Sequence, residues 1–197
     1  MPSNGKNLFK EMRAGAAATL FLAVLVCVLY PAVVWLLGQG LFPEKAAGSL
    51  VVSEGAVLGS SLLAQDFEGA AYFHPRPSAA GTGYDAAQSG GTNLGPLSKK
   101  LLDRVRGRVE AYRRENELPA DALVPADAVT SSASGLDPHI SVANALIQAR
   151  RVARARGMNM EVIVRRITSH TEGRTLGILG ESRVNVLLLN LDLDGRL

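Results

Sequence analysis

The chain has 197 residues, 47% of them hydrophobic and 20% charged, with a formal net charge of +3. That length holds one domain of ordinary size plus an appendage, and the composition excludes wholesale disorder. The mild charge gives no ground for nucleic acid as a partner, and the single cysteine, Cys27, excludes a disulfide framework or a Cys-rich zinc site.

From Ala14 to Leu37 the sequence reads AGAAATLFLAVLVCVLYPAVVWLL, without one charged residue. As a helix this stretch spans about 36 Å, enough to cross a hydrocarbon core of about 30 Å with some tilt. Pro31 can kink such a helix without preventing it from spanning, and Trp35 lies where an indole prefers the headgroup interface. A cleaved signal peptide has an apolar region of about 7–15 residues ending at a small-x-small site. Here the run is longer, and GQGLFPEKAAGS after it has no Ala-x-Ala, so the segment reads as an uncleaved anchor.

Lys6, Lys10 and Arg13 precede the span against Glu11 alone, whereas Glu44 and Lys45 cancel after it. The positive-inside tendency keeps the amino terminus in the cytoplasm. The expected organisation is therefore a cytoplasmic stretch over 1–13, a transmembrane helix over 14–37, a linker over 38–48 and an extracytoplasmic domain over 49–197. The fold class expected is one N-terminal transmembrane helix followed by a single α/β (α+β) domain.

SLVVSEGAVLGSSLLAQDF contains two short β-rich runs around Glu54-Gly55, a hairpin signal. Tyr72 to Pro96 then has almost no aliphatic residue larger than alanine, too long a loop for a simple connection. Leu97, Leu101, Val105, Val109 and Tyr112 recur at helical spacing, with Arg104, Arg108 and Arg113 elsewhere on the surface. Asp103, Glu110 and Glu115 interleave with these arginines and make a solvated face the simpler reading.

SSASGLDPHIS, Ser131 to Ser141, gathers serines, an aspartate and a histidine. Asp137 as N-cap and Pro138 at the first helical position account for it as a helix start. Val142, Leu146, Ala149 and Ala153 would line one face, and Gly157 would close the helix after four arginines. A nucleophilic Ser132 or Ser134 with His139 lacks a G-x-S-x-G frame. A shorter helix is expected near Met160 to His170. The final VNVLLLNLDL fits strand alternation and helical spacing equally and stays open. QSGGTN reads as a Gly-rich turn before an anion nest, and LGES as a turn. His74, His139 and His170 share no metal-ligand spacing, so no metal is expected.

YFHPRPSA, YDAAQSGGTNLGP, VPADAVTSSASGLDPHIS, RVARARG and RVNVLLLNLDLDG occur in that order behind one N-terminal span. Together they closely resemble the C subunit of the Kdp high-affinity potassium-transporting ATPase of bacteria, across essentially the full chain. The resemblance implies a multi-subunit inner-membrane pump with a P-type ATP-hydrolysing subunit, a potassium-channel-like subunit and a small single-span subunit. This chain has no D-K-T-G or T-V-G-Y-G-like motif, and one span cannot enclose a pore, so it would assist without pumping. ATP and potassium would be handled by the complex, with no cofactor held tightly by this chain.

The family is described as a catalytic chaperone that raises ATP affinity, which singles out Gln148 in ALIQARRVA. With Gln148 outside the cytoplasm, that effect would be indirect. A solvated or capping side chain is its plain alternative. For an exported domain covering the channel-like subunit's outer mouth, Tyr72, Phe73, Arg76, Tyr84 and Asn93 in the long loop are the expected partner contacts. Two other classes remain: a membrane-anchored periplasmic serine hydrolase, and a module binding anionic lipid or cell-wall polymer through Arg104, Arg108 and Arg113.

Overall fold

The computed structural model describes residues 4–197, with side chains from Leu8 onward. Of the expected cytoplasmic stretch, residues 1–3 lie outside the described residues, as does the side chain of Lys6. The chain divides into two compact units, Met1–Ser49 and Leu50–Leu197.

The first unit is helical. Leu8–Leu41 is long and apolar enough to cross a membrane, and none of it is buried within the chain. It comprises α1 (Asn4–Val24), a π-helical segment (Leu25–Leu29) and α2 (Tyr30–Leu41). The widening has a cause in Pro31, which has no N–H and whose ring crowds the carbonyl four residues back. The Tyr30 N–H accordingly reaches the Leu25 carbonyl, five residues back. The expected linker is largely helical: α2 continues to Leu41, and α3 (Pro43–Ala46) follows with proline presetting its first turn.

The second unit opens with the expected hairpin, β1 (Leu50–Ser53) against β2 (Ala56–Ser60). Glu54 and Gly55 both have positive φ, 50° and 79°, the requirement of a two-residue turn that matches strand twist. Residues 61–98 contain neither helix nor strand. The amphipathic segment forms α4 (Lys99–Glu115), which buries Tyr112 and leaves Leu97 outside it, 94% exposed. The short α5 (Ala126–Val129) leads into the hydroxyl-rich segment.

Asp137 and Pro138 do not start a helix. His139–Ser141 forms β3, paired antiparallel with β5 (Arg183–Asn185), and β4 (Thr171–Glu172) flanks β5 on its other side. Pairing with a distant strand overrides the local cap signal, and the Pro138 carbonyl accepts the Val186 N–H. The cap moves to Ser141, whose hydroxyl accepts the Asn144 N–H at 3.1 Å and opens α6 (Val142–Arg156). Asp127 fixes this start, accepting the Ser141 N–H at 2.8 Å and the Asn144 amide at 3.0 Å. Gly157 closes α6 as expected, in the left-handed region at φ 63°.

The buried face of α6 is shifted from the expected line toward Ala145, Gln148 and Val152. Leu146 is 43% exposed, and the buried face is Asn144, Ala145, Gln148, Ala149, Val152 and Ala153. α7 (Met160–Ser169) contributes Ile163 and Ile167 to the core. The open C-terminal run resolves as both alternatives, β5 followed by α8 (Val186–Leu193). Phe73, Ile140, Val152, Ile163, Val184 and Leu189 form the centre of the core.

Candidate functional site

Outside the regular elements lies a densely hydrogen-bonded strap, Gly69–His74, at the start of the long loop. Six consecutive carbonyls in it accept hydrogen bonds from side chains. Arg151 Nη1 donates to Ala70 and Tyr72, each at 2.9 Å, and to Gly69 at 3.3 Å. Arg156 Nε donates to Ala71 at 2.6 Å. Asn190 Nδ2 donates to Phe73 at 2.9 Å and Gln148 Nε2 to His74 at 3.1 Å.

Two of these amides hold both polar groups of a residue, as a strand partner would. Asn190 Oδ1 also accepts the Phe73 N–H at 2.8 Å, and Gln148 Oε1 accepts the His74 N–H at 2.7 Å. Gln148 is 1% exposed, which corrects its reading as a solvated or capping side chain. Its amide also donates to Asn144 Oδ1 at 2.9 Å, and its oxygen receives Arg151 Nη2 at 2.8 Å. Both oxygen lone pairs and both N–H groups are thus engaged.

A cleft of about 440 Å³ lies beside the strap, bordered by His74, Tyr84, Arg108, Tyr112, Glu115 and Gln148. Its tyrosines are fixed donors: Tyr112 to Asn144 Oδ1 at 2.7 Å and Tyr84 to the Arg76 carbonyl at 2.9 Å. Burial, with Asp66 nearby, pushes Tyr84 up to about 12; burial, with Asp127, pushes Tyr112 higher still. Neither is poised to give up a proton near neutral pH.

The expected partner contacts divide. Phe73 is fully buried and cannot line an interface, because its ring fills the core between the helices. Tyr72 is half-buried, with the Arg156 guanidinium 5.0 Å above its ring. Arg76 turns to Asp137 Oδ2 at 3.4 Å. Tyr84 and Asn93 adopt positive φ, 52° and 49°, and Asn93 is exposed. The basic face of α4 is also partly internal: Arg113 donates to the Ala122 carbonyl and Arg108 to that of Val129.

In the hydroxyl-rich segment no hydrogen bond joins Ser132 or Ser134 to His139; those two hydroxyls lie 3.4 Å apart, and Ser141 Oγ donates to Asp127 Oδ1 at 2.9 Å as part of the helix start. His139 places Nδ1 3.0 Å from Asp137 and Nε2 3.5 Å from Glu172. Ser134 Oγ accepts the Leu136 N–H. Among the described residues no group of three or more His, Cys, Asp or Glu side chains could hold a metal ion. The residues that do most in the strap, Asn190, Arg151 and Arg156, escaped the sequence reading. Asn190 left one signal: a lone amide inside VLLLNLDL has to be buried with a partner or interrupt the run.

Each histidine pairs with a carboxylate: His74 with Glu115 at 2.7 Å, His139 with Asp137 at 3.0 Å and His170 with Asp192 at 2.9 Å. The hydrogen bond from His74 holds Glu115 below its ordinary 4.5, against burial. Burial raises Asp137 and Asp192, but hydrogen bonds from His139 and from His170 with Arg166 outweigh it, leaving both below 3.8. A carboxylate depressed in the folded state contributes stability that is complete above its unfolded pKa and is lost as pH falls through the folded one. The urea midpoint is therefore expected to hold from about pH 7 to about pH 5 and to fall below. Glu115→Gln, Asp137→Asn and Asp192→Asn combined should flatten that fall. An equally steep acid limb in the triple variant would place the acid-sensitive groups elsewhere.

The family model described as KdpC, the K+-transporting ATPase c chain, matches residues 12–195. The Potassium-transporting ATPase KdpC subunit of Mycobacterium tuberculosis strain H37Rv is 55% identical over 185 residues, 94% of this chain and 98% of that protein. The KdpC subunit of Rhodospirillum rubrum is 51% identical, covering 96% of this chain and 97% of its own length. That of Koribacter versatilis is 50% identical, with 94% and 95% covered. Matches of this extent include the helical unit as well as the strap-bearing one, so the chain belongs to the KdpC family, the c chain of the K+-transporting ATPase.

Proposed function

We propose that this chain is the non-pumping accessory subunit of an ATP-driven, high-affinity potassium import complex. Its apolar helix anchors it in the bacterial inner membrane with the amino terminus in the cytoplasm. The domain from residue 49 onward lies outside, over the outer mouth of a channel-like subunit. There it stabilises the assembly that also contains a P-type ATP-hydrolysing subunit and a small single-span subunit. Family membership and the exposed apolar helix support this reading.

The observation that carries the non-catalytic part is the inward engagement of Gln148, Tyr84, Tyr112 and His139. Gln148, with all four hydrogen-bonding positions occupied, has none left for a nucleotide. Any effect on ATP affinity then passes through the partner, by favouring a pump conformation that binds ATP better. The surface offers contacts of a docking kind. A tight turn closed by the Thr175–Leu179 bridge displays Leu176, Ile178 and Leu179, 85%, 75% and 58% exposed.

The test is purification of the tagged full chain in mild detergent from potassium-starved cells of its own source. Co-elution with a P-type ATPase and a channel-like protein, and potassium-stimulated ATP hydrolysis that disappears when this chain is deleted, is the expected result. Elution alone, or labelling of the chain by a serine-directed fluorophosphonate, would sink the reading.

A further inference from the structure

Between α4 and the loop around residues 78–92 runs a second groove, of about 690 Å³. One wall is mostly backbone, supplied by Gly81, Gly83 and Gly91 with Thr82 and Thr92. The other is a strip of α4: Arg104, Gly107, Arg108 and Ala111. The two arginines stand one helical turn apart on the same side. Arg104 forms no hydrogen bond or ion pair among the described residues, and Arg108 donates only to the Val129 carbonyl. Asp103, at the rim, turns to Arg106 at 4.0 Å. Burial and, after it, the charge of Arg104 lower the Arg108 pKa, against an opposing influence of Tyr84.

Gly107 adds an independent observation. Glycine is the poorest helix former after proline, and it stands here in the middle of a 17-residue helix. Nothing inside the chain requires it, since a Cβ at this position would meet no atom within 4 Å. What the missing side chain leaves is room on the groove floor, between the two arginines. The groove is far larger than one inorganic anion, and its glycine-rich wall leaves room for a peptide chain.

We propose that this groove receives an acidic segment of a partner subunit, seating a carboxylate between Arg104 and Arg108 while its backbone passes over Gly107. The inference rests on the accessory-subunit reading and deepens it by naming a contact surface. Two arginines offer forked donors to a carboxylate, and a bound anion removes their mutual repulsion.

The test uses the full chain in its complex. Gly107→Leu is expected to leave the chain folded, with an unchanged or higher melting temperature, because the space is empty and leucine favours helix. It should nevertheless reduce recovery of partner subunits about tenfold after a moderate salt wash, as should Arg104→Glu. Arg104→Lys supplies the third arm. Treatment of that complex with a carbodiimide should join the new amine to a partner carboxylate, giving a cross-linked peptide absent from the wild-type complex, which mass spectrometry identifies as acidic.

The outcomes separate. If the wild-type chain captures no partner, the accessory reading fails and this inference with it. If partners are retained by wild type and by both Gly107→Leu and Arg104→Glu alike, only the groove assignment is overturned. Retention lost without any cross-linked protein peptide would assign the arginines to a phosphate or lipid headgroup, and also overturns it.

Discussion

Gln148→Leu is expected to lower the unfolding free energy of the strap-bearing unit by about 3 kcal/mol, since the His74 N–H and carbonyl both lose their partner in a buried site. Leucine nearly matches glutamine in volume, so the loss reports hydrogen bonding more than packing. Arg151 Nη2 and Asn144 Oδ1 lose a contact as well. The measurement is a urea midpoint for the full chain in mild detergent. Gln148→Glu should fall at least as far, because it keeps an acceptor for the His74 N–H but sets a buried carboxylate oxygen against the His74 carbonyl and Asn144 Oδ1. The same variants separate a brace from a nucleotide contact. An unchanged midpoint, with a raised ATP requirement in the assembled complex, would make Gln148 a ligand contact and end the structural reading. A lowered midpoint, with the ATP requirement of the remaining folded complex unchanged, establishes the brace.

What the sequence discloses follows from the range of the forces. The Glu54-Gly55 turn, the amphipathic spacing of α4 and the Gly157 closure are set by neighbours a few residues away, and each is found where local rules put it. The strap is different in kind. Phe73 is held by Asn190, 117 residues away, and His74 by Gln148, 74 away. No periodicity in the loop announces these bonds, and its aromatic residues imitate an interface while facing inward. The cap at Asp137 is a local signal overridden by distant pairing: once His139 lies opposite Asn185, the helix cannot begin before Ser141. VNVLLLNLDL satisfied two periods because it performs both roles in turn, its first two residues in a sheet and the other eight in a helix. The groove was half visible, since the arginines of α4 are plain in the sequence while the glycine wall opposite them depends on how the loop folds back.

Gly135→Ala is expected to cost about 3 kcal/mol or more, the second large effect and the one that explains the hydroxyl-rich segment. Gly135 has φ 69°, and a Cβ there would lie 2.6 Å from the Gly90 carbonyl oxygen and 2.7 Å from the Ala80 nitrogen. Both obstacles are backbone and cannot swing aside. Around this point two loops are stitched together. Gly90 N–H donates to the Ser134 carbonyl at 2.8 Å, Ser89 Oγ to the same oxygen at 3.1 Å, and Ser78 Oγ to the Gly135 carbonyl at 2.7 Å. Ser78 Oγ in turn accepts the N–H groups of Ala80 and Tyr84. Gly173→Ala is the matched control: its Cβ would meet nothing within 4 Å, and a change within about 0.5 kcal/mol is expected. Urea midpoints give the difference, and limited proteolysis should show residues 78–91 cut earlier in Gly135→Ala than in wild type. Equal midpoints for the two variants would mean the loops are not joined there. If the expected difference appears, SSASG and QSGG are two halves of one backbone seam, in which the Ser134 and Gly135 carbonyls are bridged by the Gly90 N–H and the Ser89 and Ser78 hydroxyls, where a hydrolase would need a nucleophile.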